Sequence, residues 1–369
     1  MKLLLLITGL GVGGAETQIL NLADIFSRKG ISVSVVYLTG EARLKPVSQD
    51  VKLIGFNVKK NIFGLFWAIF LLYRFIKITK PDVVHSHMIH ANLISRVVRL
   101  IAKIPLLVNT AHSTNEGGAV RMMAYRMTDY LAEVRTNVSA EAVLEFERKR
   151  AVPVGTMLMV SNGVNTEIFK ENISLRNSLR AENNIEKNVK IFIAVGRLVD
   201  AKDYPNLLTA FSLIKNCESV LWIVGDGPLR AKLNELTKKL GIASRVKFFG
   251  VSFDVPALIN AADIFVLSSA WEGFGLVVAE AMSCRKLVVA TDCGGVREVL
   301  NGYGFLVAKQ NITALANGMK DALNLDEAKA VELCENARNH IKVNFSLEKS
   351  VKRWLDIYGW SGNGSISGS

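Results

Sequence analysis

The chain opens on Lys2-Leu3-Leu4-Leu5-Leu6-Ile7-Thr8-Gly9-Leu10-Gly11-Val12-Gly13-Gly14-Ala15, and the reading of this stretch decides the fold. A basic start, an apolar run and small residues are also the marks of a secretory signal peptide. The competing reading is a buried parallel strand that runs into a glycine loop. The residues beyond Ala15 select the strand. Thr17 to Arg28 has the apolar spacing of an amphipathic helix, and Val33 to Leu38 is a second strand-like run. Strand, glycine loop, helix and strand make a βαβ unit, the building block of a parallel sheet covered by helices.

The same alternation continues outward from that stretch. Strands are expected at 3–7, 33–38, 83–85, 106–110 and 134–138, with helices near 15–29, 62–79, 91–102, 119–130 and 140–149. From Asn165 to Asn188 the periodicity fades into Asn, Glu and Lys, as expected of a linker. Lys190 to Val195 then restarts the pattern, with further strands at 220–224, 246–249, 264–268 and 287–290. The expectation is an α/β fold of two Rossmann-like domains, residues 1–165 and 188–345. A helix within 346–360 comes next, and then a flexible Ser/Gly-rich tail at 361–369.

Composition is consistent with this and excludes other classes. The 369 residues are 50% hydrophobic, which rules out global disorder and fits two domains. Cys217, Cys284, Cys293 and Cys334 are scattered without a C-x-x-C pair, so neither a zinc site nor a disulfide framework is indicated. A reducing cytoplasm fits best. The net charge of +12 is unevenly placed: residues 1–165 hold 20 Lys+Arg against 11 Asp+Glu, or +9, and the remainder holds 25 against 22, or +3. The basic excess belongs to the first half and suits an anionic partner there.

Three loops could carry chemistry. Gly9-Leu10-Gly11-Val12-Gly13-Gly14 satisfies G-x-G-x-x-G between a strand and a helix, and Glu41 lies near the position of a ribose-binding acid. That is the context of a dinucleotide fingerprint, although a tight strand-to-helix turn alone also needs glycines. In the second half Gly196-Arg197-Leu198 comes directly after a strand, and Lys202 lies five residues beyond Arg197. Together they can grip a diphosphate as fork and point charge. Finally, Val266-Leu267-Ser268-Ser269-Ala270-Trp271-Glu272-Gly273-Phe274-Gly275-Leu276-Val277-Val278-Ala279-Glu280 ends a strand, turns on glycine and enters an apolar helix. Its helix start offers amides to phosphate, and a carboxylate such as Glu280 can accept two hydrogen bonds from a ribose diol.

Glu272 and Glu280, preceded by Gly196-Arg197, Lys202 and Gly225-Asp226-Gly227-Pro228, resemble the retaining family 4 glycosyltransferases of bacterial surface-polysaccharide type. Gly13-Gly14-Ala15-Glu16 matches that family's N-terminal loop, and Ser161-Asn162-Gly163-Val164 its join between the halves. The resemblance covers residues 1 to about 355. It implies the GT-B fold, two Rossmann-like domains facing across a cleft, with the last helix crossing back to the first domain. It also implies roles. Arg197 and Lys202 would bind the donor diphosphate, Glu280 the ribose, and Glu272, Gly273, Phe274 and Gly275 the donor-sugar region and helix start. Gly13 and Gly14 would bring amides to the diphosphate, and His112 would sit near the transferred sugar. Two departures are visible: Asp203 follows Lys202 where the family commonly has Gly, and Ser268-Ser269-Ala270 lacks its usual proline.

The implied reaction is sugar transfer from a nucleotide-sugar, a UDP-sugar, to a glycan acceptor, with retention and without a metal. No D-x-D motif ends a suitable strand, so charge on the leaving diphosphate would fall to Arg197, Lys202 and the helix start. No cofactor is expected. His85, His87 and His90 invite a metal reading, but no nearby acid completes a site. Residues 51–81 contain no acid. They interleave Lys52, Lys59, Lys60, Arg74, Lys77 and Lys80 with Phe63, Phe66, Trp67, Phe70 and Phe75. The apolar run Ile62 to Tyr73 is too short to span a bilayer. The helix therefore reads as a peripheral membrane-surface element across residues 59–80, or as an ordinary core helix. A polyprenyl-diphosphate-linked acceptor at the inner face of the plasma membrane is the expectation. An NAD oxidoreductase would leave Glu272 and Glu280 unexplained, and a nucleic-acid-binding protein lacks any recognisable motif.

Overall fold

The computed structural model describes residues 1–114, 116–215 and 218–360. The expected flexible tail at 361–369, and Cys217, lie outside the described residues. The chain forms two units, Met1–Gly163 with the chain from Leu347 on, and Val164–Ser346.

Among the described residues the first unit has seven strands: β1 (Lys2–Ile7), β2 (Ser32–Tyr37), β3 (Lys52–Gly55), β4 (Val83–His87), β5 (Leu106–Ala111), β6 (Val134–Asn137) and β7 (Met157–Met159). All pair in parallel, in the order β3-β2-β1-β4-β5-β6-β7. The opening Leu run is therefore an interior strand, buried on both faces, which is why it reads as continuous hydrophobics rather than as alternation. Helices α1 (Gly14–Arg28), α2 (Ile62–Thr79), α3 (Ile89–Arg99), α4 (Gly118–Thr128) and α5 (Ala140–Arg148) make the crossovers. Ala68, Leu72 and Ile76 of α2 pack with Ile94 and Val98 of α3 against Leu4, Leu6 and Val84 on one face of the sheet.

The second unit repeats the plan. Among the described residues β8 (Lys190–Val195), β9 (Ser219–Val224), β10 (Val246–Gly250), β11 (Ile264–Leu267), β12 (Leu287–Thr291) and β13 (Phe305–Val307) run in the order β10-β9-β8-β11-β12-β13. Its helices are α6 (Ile173–Glu182), α7 (Tyr204–Ser212), α8 (Arg230–Lys239), α9 (Val255–Ala261), α10 (Leu276–Ser283), α11 (Val296–Leu300), α12 (Ile312–Asn324) and α13 (Glu327–Phe345).

The expected linker at 165–188 contains helix α6. It escapes an apolar-period reading because polar bonds hold it. The Asn172 side chain caps it, and Arg176 and Arg180 both pair with Asp263, at 2.6 and 3.2 Å. Strands β3, β7 and β13 were not anticipated. β3 and β13 lack a fully buried residue and β7 has one, so none shows the apolar run of a central strand.

The last helix, α14 (Leu347–Ile357), returns to the first unit. Leu347, Val351, Trp354 and Leu355, with Tyr358 just beyond, join Leu3, Leu5, Phe26 and Val33 in the core on the α1 face. In each sheet the strand order reverses once, between β1 and β4 and between β8 and β11. Ligands of such sheets bind outside the carboxyl ends of the strands at that reversal.

Candidate active site

In the second unit the reversal point is built from two pairs of loops. β8 turns at Gly196 into exposed Arg197 and buried Leu198. The loop after β9, Gly225-Asp226-Gly227-Pro228, lies directly on it. The Leu198 N–H donates to the Asp226 carbonyl at 3.0 Å. A Cβ on Gly225 would stand 2.0 Å from the Gly196 carbonyl oxygen, and one on Gly227 2.5 Å from that of Leu198. The two glycines are thus required by backbone-to-backbone packing. The Tyr204 hydroxyl, from the start of α7, donates to the Gly196 carbonyl at 3.0 Å and braces the turn.

The other pair places the carboxylates. The Ser268 hydroxyl, just past β11, donates to the Lys202 carbonyl at 2.8 Å, and the Ala270 N–H donates to the Ala201 carbonyl at 2.9 Å. Lys202 Nζ then donates to Glu272 Oε1 at 2.5 Å, and the Ser269 hydroxyl donates to the same oxygen at 2.7 Å. Lys202 is therefore ion-paired in the free protein. Gly275, at φ 86°, caps α10, and Glu280 sits in the body of that helix. Glu280 is 7% exposed. Burial pushes its carboxyl up to about 8, against the pull of Lys202. Lys202 thus acts on both acids, and Arg197 makes no ion pair among the described residues. Phe274 is buried against Phe345, with ring centroids 5.4 Å apart, so it offers a ligand its backbone rather than its ring.

Asp203 stands at φ 45°, ψ 47°, the left-handed region. Gly is the usual occupant of such a position, and Asp is one of the few other residues that tolerate it. The departure from the family pattern therefore keeps the turn.

Sequence reasoning missed the loop after β12. The Thr291 hydroxyl donates to the Ser269 carbonyl at 2.7 Å, and the Gly295 N–H donates to the Gly273 carbonyl at 3.1 Å. A Cβ on Gly294 would stand 2.0 Å from the Glu272 carbonyl oxygen. The signal was present: Thr291-Asp292-Cys293-Gly294-Gly295 is another glycine loop directly after a strand.

In the first unit Gly13 caps α1 in extended backbone at φ −174°. A Cβ on Gly9 would meet the Thr39 carbonyl oxygen at 3.1 Å, so that glycine serves close approach. Gly14 begins α1, and Glu41 lies exposed beyond β2. His112 comes just after β5, and its Nε2 lies 3.0 Å from Nδ1 of His87 at the end of β4. Its backbone N–H donates to Glu116 Oε1 at 3.1 Å, while Glu116 Oε2 accepts from the Tyr125 hydroxyl at 2.6 Å. Burial lowers His87, and lowers His112 to about 4, so both rings are neutral at pH 7. Among the described residues, His112 Nδ1, His87 Nε2, the Thr8 hydroxyl and the Gln18 amide nitrogen are buried and have no hydrogen-bond partner. Buried polar atoms rarely go unpaired, and unpaired ones at strand carboxyl ends are open to a ligand. His85 instead bonds the Tyr358 hydroxyl at 2.5 Å and the Thr110 hydroxyl at 2.6 Å, and His90 is exposed on α3. The three histidines do not converge on one point.

Comparison with known proteins agrees with the fold of the two units. The family model Glycosyl transferases group 1 matches residues 176–340, and Glycosyltransferase Family 4 matches residues 12–168. The chain is 30% identical over 301 residues to an uncharacterised glycosyltransferase of Methanocaldococcus jannaschii, covering 75% of this chain and 71% of the relative. It is 26% identical over 302 residues to the UDP-Gal:alpha-D-GlcNAc-diphosphoundecaprenol alpha-1,3-galactosyltransferase of Escherichia coli, covering 78% and 77%. Its fold is that of Anabaena HepE, whose crystal structure holds UDP and glucose. The TM-score is 0.86 at 22% identity, over 97% of this chain and 99% of that one.

Proposed function

The chain belongs to the glycosyltransferases, with the GT-B fold, and from that membership we propose that it moves a sugar from a UDP-sugar to a lipid-diphosphate-linked glycan in surface-polysaccharide assembly, with retention at the anomeric carbon. The observation that carries the reading is the arrangement around Lys202, which is bonded to Glu272 and felt by Glu280, buried in the body of α10. The membership leaves no need for the oxidoreductase or nucleic-acid readings. The E. coli relative uses UDP-Gal and a diphosphoundecaprenol acceptor, which supports the donor and acceptor classes proposed.

In this reading the ribose diol donates to Glu280 and the donor-sugar hydroxyls to Glu272. As the diphosphate arrives, Lys202 leaves Glu272 and joins Arg197 and the first-turn amides of α10 on the phosphate oxygens. These groups are fixed before the reaction and face the charge that develops as the bond from the anomeric carbon to phosphate oxygen breaks. No carboxylate stands out as a covalent nucleophile. The acceptor oxygen therefore bonds the anomeric carbon on the face the diphosphate leaves, and the acceptor hydroxyl proton passes to the departing phosphate oxygen. Arg197 and Lys202 supply the positive charge, so no divalent cation is called for. To the first unit the proposal assigns the acceptor, and to neutral His112 a hydrogen bond to a sugar hydroxyl through Nδ1.

A thermal-shift screen of nucleoside diphosphates, followed by transfer assays in EDTA with product anomers read by NMR, tests each part. Stabilisation by UDP, turnover in EDTA and an α product from an α-linked donor are expected. An inverted product would overturn the mechanism, and rescue by Mn²⁺ only would overturn its metal independence.

A further inference from the structure

Helix α2 is 18 residues long and, among the described residues, is the one helix apolar and long enough to pass for a membrane span. It extends past the apolar run Ile62 to Tyr73, which alone is too short for that. Only Gly64, Ala68, Leu72 and Ile76 of it are buried, a narrow stripe at four-residue spacing packed on the first sheet. The opposite side is bare. Phe63 is 80% exposed, Phe66 65%, Trp67 54% and Phe70 43%. The spacing i, i+3, i+4, i+7 puts these four rings on one outward ridge. Trp67 and Phe70 stack on each other with centroids 5.1 Å apart, and the Arg74 guanidinium lies 5.8 Å from the Phe70 ring. A soluble surface seldom leaves four adjacent aromatic side chains uncovered without a partner for them.

The charges around the ridge identify that partner. Lys59 and Lys60 precede it, and Arg74, Lys77 and Lys80 lie beyond it. All are exposed, and no acidic residue interrupts 51–81. None of the five forms an ion pair among the described residues. Gly64 holds the leading pair in place: a Cβ there would meet the Lys59 carbonyl oxygen at 1.8 Å, so only glycine lets segment 59–61 fold onto the helix start. A second copy of the same basic surface would be repelled, whereas a bilayer bearing anionic headgroups complements both the charge and the rings. The buried stripe, together with Arg74 and Lys77, keeps the helix lying on a surface rather than crossing it.

We propose that the outward ridge of α2, Phe63, Phe66, Trp67 and Phe70 framed by Lys59, Lys60, Arg74 and Lys77, docks the protein on an anionic membrane surface. The rings enter the headgroup region and the bases meet lipid phosphates. The aromatic half of α2 extends from the carboxyl end of β3, the sheet edge that also carries His87 and His112. Docking thus brings that edge to the bilayer.

The test is sedimentation of the full chain with vesicles, which requires neither donor nor acceptor, so its failure leaves the sugar-transfer reading untouched. Wild type should bind phosphatidylcholine vesicles containing 25% phosphatidylglycerol and leave pure phosphatidylcholine largely unbound. Replacing Lys59, Lys60, Arg74 and Lys77 together by Gln should weaken anionic binding by about fivefold per charge, several hundredfold in all. Phe63→Ser, Phe66→Ser and Phe70→Ser combined should abolish the binding that survives 1 M salt, where screening reaches within about 3 Å. All seven side chains are exposed, and unchanged circular dichroism and melting temperature confirm that each variant folds. Equal, weak binding of wild type to both vesicle types overturns the proposal. So does light scattering that shows a dimer lost in the Ser variant, which would make the ridge a self-interface.

Discussion

In the free protein Glu280 is buried on α10, and its carboxyl is pushed up to about 8 because burial outweighs the pull of Lys202. In the unfolded chain the same group returns to its ordinary 4.5. Between these pH values the unfolded state is ionised and the folded state is not. Folding then takes up a proton, and stability falls as pH rises. From 4.5 to 8, at 1.36 kcal/mol per pH unit, the loss amounts to about 5 kcal/mol. About 2 kcal/mol of it lies between pH 6 and pH 8, and above 8 it is complete. Glu280→Gln removes the titration and keeps the shape. Urea unfolding of both proteins from pH 6 to 9 should show wild type losing stability relative to the variant up to about pH 8, then running parallel to it. UDP binding adds a second readout. If the ribose is held by the ionised carboxylate, wild-type affinity relative to Glu280→Gln should rise as pH approaches 8. Unfolding curves that stay parallel from pH 6 to 9 would refute the placement of a buried, uncompensated carboxyl at this position.

Glu272→Ala releases Lys202 and should tighten UDP binding by about tenfold, or 1.4 kcal/mol, in calorimetry while lowering turnover. Lys202→Ala should cut turnover by about 10²–10³ with no such gain, as for loss of one preorganised donor. Gly294→Ala and Gly241→Ala both put a side chain at positive φ, 57° and 68°, but only at Gly294 does the new Cβ collide, 2.0 Å from the Glu272 carbonyl. Melting temperature and turnover should fall for Gly294→Ala, while Gly241→Ala should lose only about 1 kcal/mol of stability and keep its turnover. His85, His87 and His112 are all lowered by burial, so the unfolded chain binds protons that the folded first unit refuses. Stability should therefore fall as pH drops below about 6.5, and His112→Asn should flatten that acid slope in a thermal-melt series.

The sequence showed central strands and loops well because their signals are local. Leu3 to Ile7 and Lys190 to Val195 are short apolar runs ending in glycine loops, and both are interior strands beside the reversal of strand order. Where stabilisation is not apolar the reading failed. Helix α6 is fastened by Arg176 and Arg180 to Asp263, more than 80 residues away, and no periodicity reports a partner at that distance. β3 and β7 are the outermost strands of their sheet, with little apolar surface to bury, and β13 is the same in the other.

The candidate site divides the same way. Arg197, Lys202, Glu272 and Glu280 were visible as residue types on loops. That Lys202 spends the free state bonded to Glu272, 70 positions along the chain, was not. The pairing depends on β8 and β11 being neighbours, a consequence of the reversal of strand order, which is a property of the whole sheet. Gly294 makes the same point from the other side. Within its own loop nothing demands a glycine beyond its positive φ. The demand comes from the Glu272 carbonyl, brought alongside because β11 and β12 pair from Ile264 to Leu267. A motif therefore shows which side chains reach the strand ends. The sheet order decides which of them meet, and so which cation is already paired in the free protein.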